Sequence, residues 1–189
     1  MQPSILKEGI LHHLDHPVVF SSMAGAGPQW EAGLAAAPAT GIDWGVFGFA
    51  GRGAAESTFW LGTAGAHTLC HRDTYGLNLV VQLAGRKRWT LFPPADGPLL
   101  YPTRVPYEES TVFSAADLRR PDFHRFPDLA STHPHIVVLE PGEALLVPRH
   151  WWHLVENLET SVSINTWVNL RPWPPELCLS TLQATAEAR

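Results

Sequence analysis

Between Phe59 and Trp89 the chain reads FWLGTAGAHTLCHRDTYGLNLVVQLAGRKRW. Short runs rich in Val, Leu, Thr and aromatic residues alternate there with Gly65, Gly76 and Gly85, which suit turns. The spacing predicts strands over 58–61, 68–71, 77–83 and 88–92, the last stopped by Pro93-Pro94. The same regularity returns at 136–139, at 144–147 after the Pro141-Gly142 turn, and at 161–168. Eight or so short strands without βαβ alternation predict a mainly β fold, a sandwich or jelly-roll barrel that can hold a metal inside its mouth.

The flanks are less regular. Ile5, Leu6, Ile10, Leu11 and Leu14 have the spacing of a short amphipathic helix, and Pro17–Phe20 reads as a strand. Residues 25–41 are rich in Ala, Gly and Pro and predict a loop or weak helix, and GIDWGVFGFAGRG a loop lying on the core. Residues 96–134 form a long Pro-rich and polar excursion, where substrate contacts are expected. Residues 176–188 have helix-forming composition. Three parts result: a helix/strand and connector over 1–41, a barrel core over 42–172, and a C-terminal helix over 173–189.

The 189 residues are 45% hydrophobic, enough for a single domain with a core. A formal charge of −5 argues against a nucleic-acid-binding surface. Two cysteines, Cys70 and Cys178, make no disulfide framework and fit a reducing compartment. Neither a signal peptide nor a membrane span is read in the sequence. The expected location is the cytoplasm, with the nucleus as the alternative.

His71 and Asp73 are two apart. On a strand they point to one face, and an imidazole and a carboxylate converge. That is two thirds of a facial iron triad. In PRHWWHLVEN either His153 or His150 can complete it, with Trp151 and Trp152 as packing. Lys87, on a following strand, can bind the carboxylate of an acidic cosubstrate, or else belong to a solvated GRKR edge. Thr68, Asn78 and Asn165 can hydrogen-bond the same guest. His67 and His71 would be a zinc pair on a helix, but their surroundings favour a strand and no Glu follows His67. Cys70 and His71 should face opposite sides of a strand and never meet as nucleophile and base. His12, His13, His16, His124, His133 and His135 read as surface or loop residues.

Taken together, His71-Arg72-Asp73, Lys87, PRHWWH and SINTW resemble the JmjC-type 2-oxoglutarate oxygenases of the cupin superfamily. The runs FGFAGRG, LLYPTRVPYEESTVFS and VPRHWWHLVE extend the likeness over roughly residues 42–170, nearest to a branch associated with a small heat-shock protein. The resemblance implies a double-stranded β-helix with flanking helices. It implies Fe(II) held by His71, Asp73 and His153, and 2-oxoglutarate as cosubstrate with its distal carboxylate on Lys87. Thr68 shares that task, and Asn78 and Asn165 are pocket amides. The implied activity is hydroxylation of a protein side chain. The alternative is a non-catalytic module that binds and modulates a small heat-shock protein. Two departures stand out. Leu69 occupies a position where the family often has Pro. Residues 21–40 are brief and Ala-rich, so some outer strands, and a Tyr that often touches 2-oxoglutarate, are expected to be absent.

Overall fold

A computed structural model of the chain describes residues 18–20, 41–103 and 111–169. The predicted helices over 4–14 and 176–188, and the segment 25–40, lie outside the described residues.

The described residues form ten strands: β1 (Val18–Phe20), β2 (Thr58–Gly62), β3 (His67–Asp73), β4 (Leu77–Ala84), β5 (Lys87–Phe92), β6 (Thr111–Phe113), β7 (His135–Leu139), β8 (Ala144–Val147), β9 (Trp152–Asn157) and β10 (Ser161–Val168). They form two five-stranded antiparallel sheets, ordered β1-β8-β4-β10-β2 and β6-β3-β9-β5-β7. From β2 to β5, and again from β7 to β10, each strand crosses to the sheet opposite its predecessor. That winding is a double-stranded β-helix, the jelly roll predicted from the strand count.

Side-chain alternation divides the apolar residues into three layers. Val80, Leu145 and Val147 of the first sheet meet Trp89, Leu91 and Leu139 of the second between the sheets. Leu77, Leu79, Val81, Ala144 and Leu146 face the other way, under Trp44 and Phe47. Those two aromatics come from a 3₁₀ turn over Trp44–Phe47, whose first residues Asp43 caps by accepting from the Gly45 N–H. The GIDWGVFGFAGRG segment therefore does lie on the core. On the outer face of the second sheet, Cys70, Phe92, Trp152 and Leu154 pack against Leu100, Ala116 and Leu129.

The last three residues belong to the 96–134 excursion, whose described residues include β6 and 3₁₀ turns over Pro94–Leu100 (which begins just before it) and Pro127–Ser131. Burying a Leu side chain contributes roughly 1.5–3 kcal/mol, and Leu100 and Leu129 hold the excursion against the sheet by that means.

The turn from β4 to β5 sets the direction of Lys87. Gly85 has φ +62, in the left-handed region, and a Cβ there would press on the Thr160 carbonyl and on Ser161. Buried Gln82 donates through Nε2 to the Ala84 and Gly85 carbonyls at 2.8 and 3.0 Å. Gly85→Ala is expected to destabilise the fold by more than about 2 kcal/mol, measured by urea unfolding.

Candidate functional site

β3 supplies the first two groups. His71 and Asp73 point into the space between the sheets, with His71 Nε2 3.8 Å from Asp73 Oδ1. β9 pairs beside β3 with His71 opposite His153, and their rings lie 4.2 Å apart. One ligating atom from each of His71, Asp73 and His153 can be chosen so that all three lie within 4.8 Å of one another. His153, not His150, therefore joins the pair.

His150 stands in the Pro148–Trp151 turn with φ +68 and does not line the cavity. Among the described residues its Nδ1 has no partner. His150→Gly is expected to leave metal affinity unchanged, by calorimetric titration, and stability within about 1 kcal/mol, since Gly adopts this φ without strain.

The backbone fixes which imidazole nitrogen is free. His71 Nδ1 lies 2.8 Å from the Leu69 carbonyl, and His153 Nδ1 3.1 Å from the Trp151 carbonyl. A carbonyl only accepts, so both Nδ1 atoms carry hydrogen and both Nε2 lone pairs are available to a metal. Burial, with the His71 charge a lesser cause, pushes the His153 pKa down to about 3, so its imidazole is neutral at ordinary pH. Asp73 Oδ2 accepts from the Trp167 indole N–H at 2.9 Å, leaving Oδ1 for a cation. Burial pushes the Asp73 pKa up, while the Trp167 hydrogen bond and His71 pull it down.

These groups line a cavity of about 290 Å³ that also receives Thr68, Asn78, Lys87 and Asn165. All seven residues singled out in the sequence thus face one space. Thr68 gets there through a bulge. Pairing of β3 with β9 slips between Thr68 and His71, so these two residues, three apart, share a face.

The basic run Arg86-Lys87-Arg88 splits by alternation. Arg86 pairs with Glu159 and Arg88 with Glu156, both at 2.9 Å on the outside. Lys87 points inward, 5% exposed, with Nζ donating to Ser163 Oγ at 2.5 Å. Among the described residues no carboxylate pairs with it. Burial lowers its pKa to about 8.

Sequence reasoning missed Ser163, Trp60 and Trp167. Ser163, Asn165 and Trp167 alternate on β10, so a period of two around Asn165 was the available signal. The expectation of substrate contacts from residues 96–134 is not met by the cavity wall: none of the described residues of that excursion lines it. Phe113 of the excursion stands beside the site, with its ring 5.6 Å from that of His71. Leu100, Ala116 and Leu129 of the excursion pack instead on the outer face of the second sheet.

The remaining histidine and thiol readings resolve as follows. His67 begins a strand and its Nδ1 lies 2.9 Å from Arg119 Nη1, so it forms no helical zinc pair with His71. Cys70 is buried in the outer layer, and burial pushes its thiol up to about 12, which makes it an inert thiol. Trp151 and Trp152 are both buried packing residues. His124, His133 and His135 are exposed, and His133 Nδ1 lies 3.0 Å from Asp96 Oδ1. His12, His13 and His16 lie outside the described residues.

The family model described as a cupin-like domain matches residues 22–171. The chain is 59% identical over 130 residues to HSPB1-associated protein 1 of Bos taurus, covering 68% of this chain and 27% of that protein. It is 32% identical over 111 residues to lysine-specific demethylase JMJ31 of Arabidopsis thaliana, covering 58% and 20%. It is 33% identical over 108 residues to lysine-specific demethylase 8 of Danio rerio, covering 57% and 26%. The chain thus spans about a quarter of the length of the relatives it matches.

Proposed function

Because the chain belongs to the cupin-like domain family, we propose that it is an Fe(II)/2-oxoglutarate-dependent oxygenase that hydroxylates a protein side chain. The observation that carries this reading is the meeting of two imidazoles and one carboxylate beside a buried lysine in one cavity. Two His and one carboxylate, with the rest of the coordination sphere left open, suit non-haem Fe(II).

His71, Asp73 and His153 hold the metal through Nε2, Oδ1 and Nε2. Lys87 and the Ser163 hydroxyl, which accepts from Lys87 and keeps its own hydrogen to donate, take the distal carboxylate of the cosubstrate. Thr68 adds a second hydroxyl to the same cavity. Trp89, stacked on His153 at 5.8 Å, together with Val80 and Val155 keeps the space apolar between these donors and limits water. Fe(II) and 2-oxoglutarate, when bound, supply the oxidising chemistry: one O₂ is consumed, the keto acid leaves as succinate and CO₂, and the substrate C–H becomes C–OH. The protein's share is binding, orientation and exclusion of solvent.

A second reading has its own support. Relatives 59% and 57% identical to this chain are named for association with HSPB1. Phe59 and Leu61 of β2, a strand at the edge of its sheet among the described residues, are 57% and 68% exposed. On this reading the cupin module binds a small heat-shock protein and hydroxylates nothing. Incubation with Fe(II), O₂ and labelled 2-oxoglutarate separates the two. The oxygenase releases succinate above a His71→Ala control, and equal release from both proteins leaves the binding module.

A further inference from the structure

Trp60 sits on β2, beside the candidate metal centre yet without contact to any of its three residues in the hydrogen-bond network. Its inward face follows from register: it lies opposite Ser163 on β10, while its exposed neighbours Phe59 and Leu61 face outward. The indole Nε1 donates to Asn165 Oδ1 at 2.8 Å. Asn165 Nδ2 in turn donates to Asn78 Oδ1 at 2.7 Å. Asn165 and Asn78 are 1% and 6% exposed, so water is a poor substitute for the bond between them, while Trp60, 41% exposed, reaches in from the rim of the cavity.

The direction of this chain is set at its head. An asparagine amide can turn over and exchange its oxygen and nitrogen, but an indole N–H can only donate. The Asn165 atom that meets Trp60 must be oxygen. Its nitrogen then faces Asn78, the Asn78 atom that meets it must be oxygen, and the Asn78 NH₂ is left over. Among the described residues that NH₂ has no acceptor, and it is not sealed from solvent. Asn78 borders the cavity, so the cavity is where the NH₂ can find a partner.

We propose that Trp60 is a positioning residue: acting through Asn165, its indole N–H holds the Asn78 amide with the NH₂ turned to the cavity, so that this wall donates to an anionic guest. The guest, 2-oxoglutarate, rests on the function proposed above; the relay itself does not. Without the indole, Asn165 is free to turn over, Asn78 follows, and a carbonyl oxygen faces a carboxylate-bearing guest instead of an NH₂.

Two measurements test this. The first needs no ligand and no substitution. In the ¹H–¹⁵N spectrum of the protein, the Asn165 side-chain NH₂ is expected to be protected from solvent exchange and that of Asn78 to exchange freely. The reverse pattern overturns the relay.

The second is a double-mutant cycle of Trp60→Phe and Asn78→Ala on the Zn(II)-loaded protein, titrated with 2-oxoglutarate by calorimetry. Trp60→Phe keeps the ring and removes the donor. It is expected to weaken 2-oxoglutarate by about tenfold, the scale of one buried hydrogen bond to a charged group, with Zn(II) affinity unchanged. In the Asn78→Ala background the same substitution is expected to add nothing, because Trp60 acts only through that amide. Additive losses, or loss of Zn(II) affinity alone, mean a structural role and overturn the proposal. If the unsubstituted protein takes no 2-oxoglutarate, the cosubstrate assignment falls, and the exchange pattern decides the relay by itself. If Trp60→Phe does not fold, Asn165→Ala cuts the same chain at its middle, with the same expectations.

Discussion

His153→Ala is expected to weaken metal binding by more than about 100-fold, because loss of a groups-only supporting contact to a ligand already costs 10–100-fold and here a ligand itself is removed. His71 and Asp73 remain, but two groups from one short stretch of a single strand cannot enclose a cation. The substitution also removes the ring that stacks on Trp89 and stands 4.2 Å from the ring of His71. Stability should fall by about 2 kcal/mol or more, as for other truncations of buried rings.

The pH dependence of the metal-free protein separates this packing loss from the electrostatic role. Unfolded, the imidazole titrates near 6.5; folded, near 3. Below pH 6.5 the unfolded chain binds a proton at this position that the folded chain refuses. The contribution of His153 is therefore whole above pH 6.5 and is lost as pH falls toward 3, up to tenfold in the folded-to-unfolded ratio per pH unit. Urea melts between pH 7 and 4 should show that slope in the parent protein and a shallower one in His153→Ala. Equal slopes would mean that the imidazole is not held neutral by burial, and undiminished metal affinity would remove His153 from the centre.

Lys87→Met should separate binding from stability, with opposite signs. The ammonium is buried with one hydrogen bond, to Ser163, and burial has lowered its pKa to about 8. A thioether of similar length carries no desolvation cost, so the substituted protein is expected to be at least as stable, by up to about 1 kcal/mol. A dianionic guest loses its counter-charge. Truncating one partner of a buried charge pair costs roughly 2–5 kcal/mol, so 2-oxoglutarate affinity should fall at least about 30-fold.

The same lysine predicts a pH profile. Below about 8 it is charged and ready; as pH rises through about 8 it loses its proton, and affinity should drop by up to tenfold per unit. Calorimetry from pH 6.5 to 9.5 should give that fall in the parent protein and a flat profile in Lys87→Met. An unaltered affinity after substitution would place the distal carboxylate elsewhere.

Much of this site could be read from strand periodicity. His71 and Asp73 share a face for that reason, and Lys87 parts from Arg86 and Arg88 for the same reason. Periodicity also put Cys70 opposite His71, in the outer layer. It failed where the period breaks. The bulge before His71 brings Thr68 inward, and strict alternation would have sent it out. β9 was not read as a strand because Pro148, the left-handed His150 and two Trp residues obscure its start. β6 is three residues long and carries too little pattern to detect. Substrate contacts were expected in the 96–134 excursion because of its length; burial of Leu100 and Leu129, each at 5% exposure or less, shows a further role for it as cover for the second sheet, which length alone does not reveal.

Both imidazoles of the centre take their orientation from a main-chain oxygen two positions upstream, at Leu69 and at Trp151. Every amino acid carries that oxygen, proline included. The identity of residue 69 is thus uncoupled from the tautomer of His71, and leucine can stand at this position without disturbing the lone pair. Drift at that position is invisible to the metal so long as the local chain path survives.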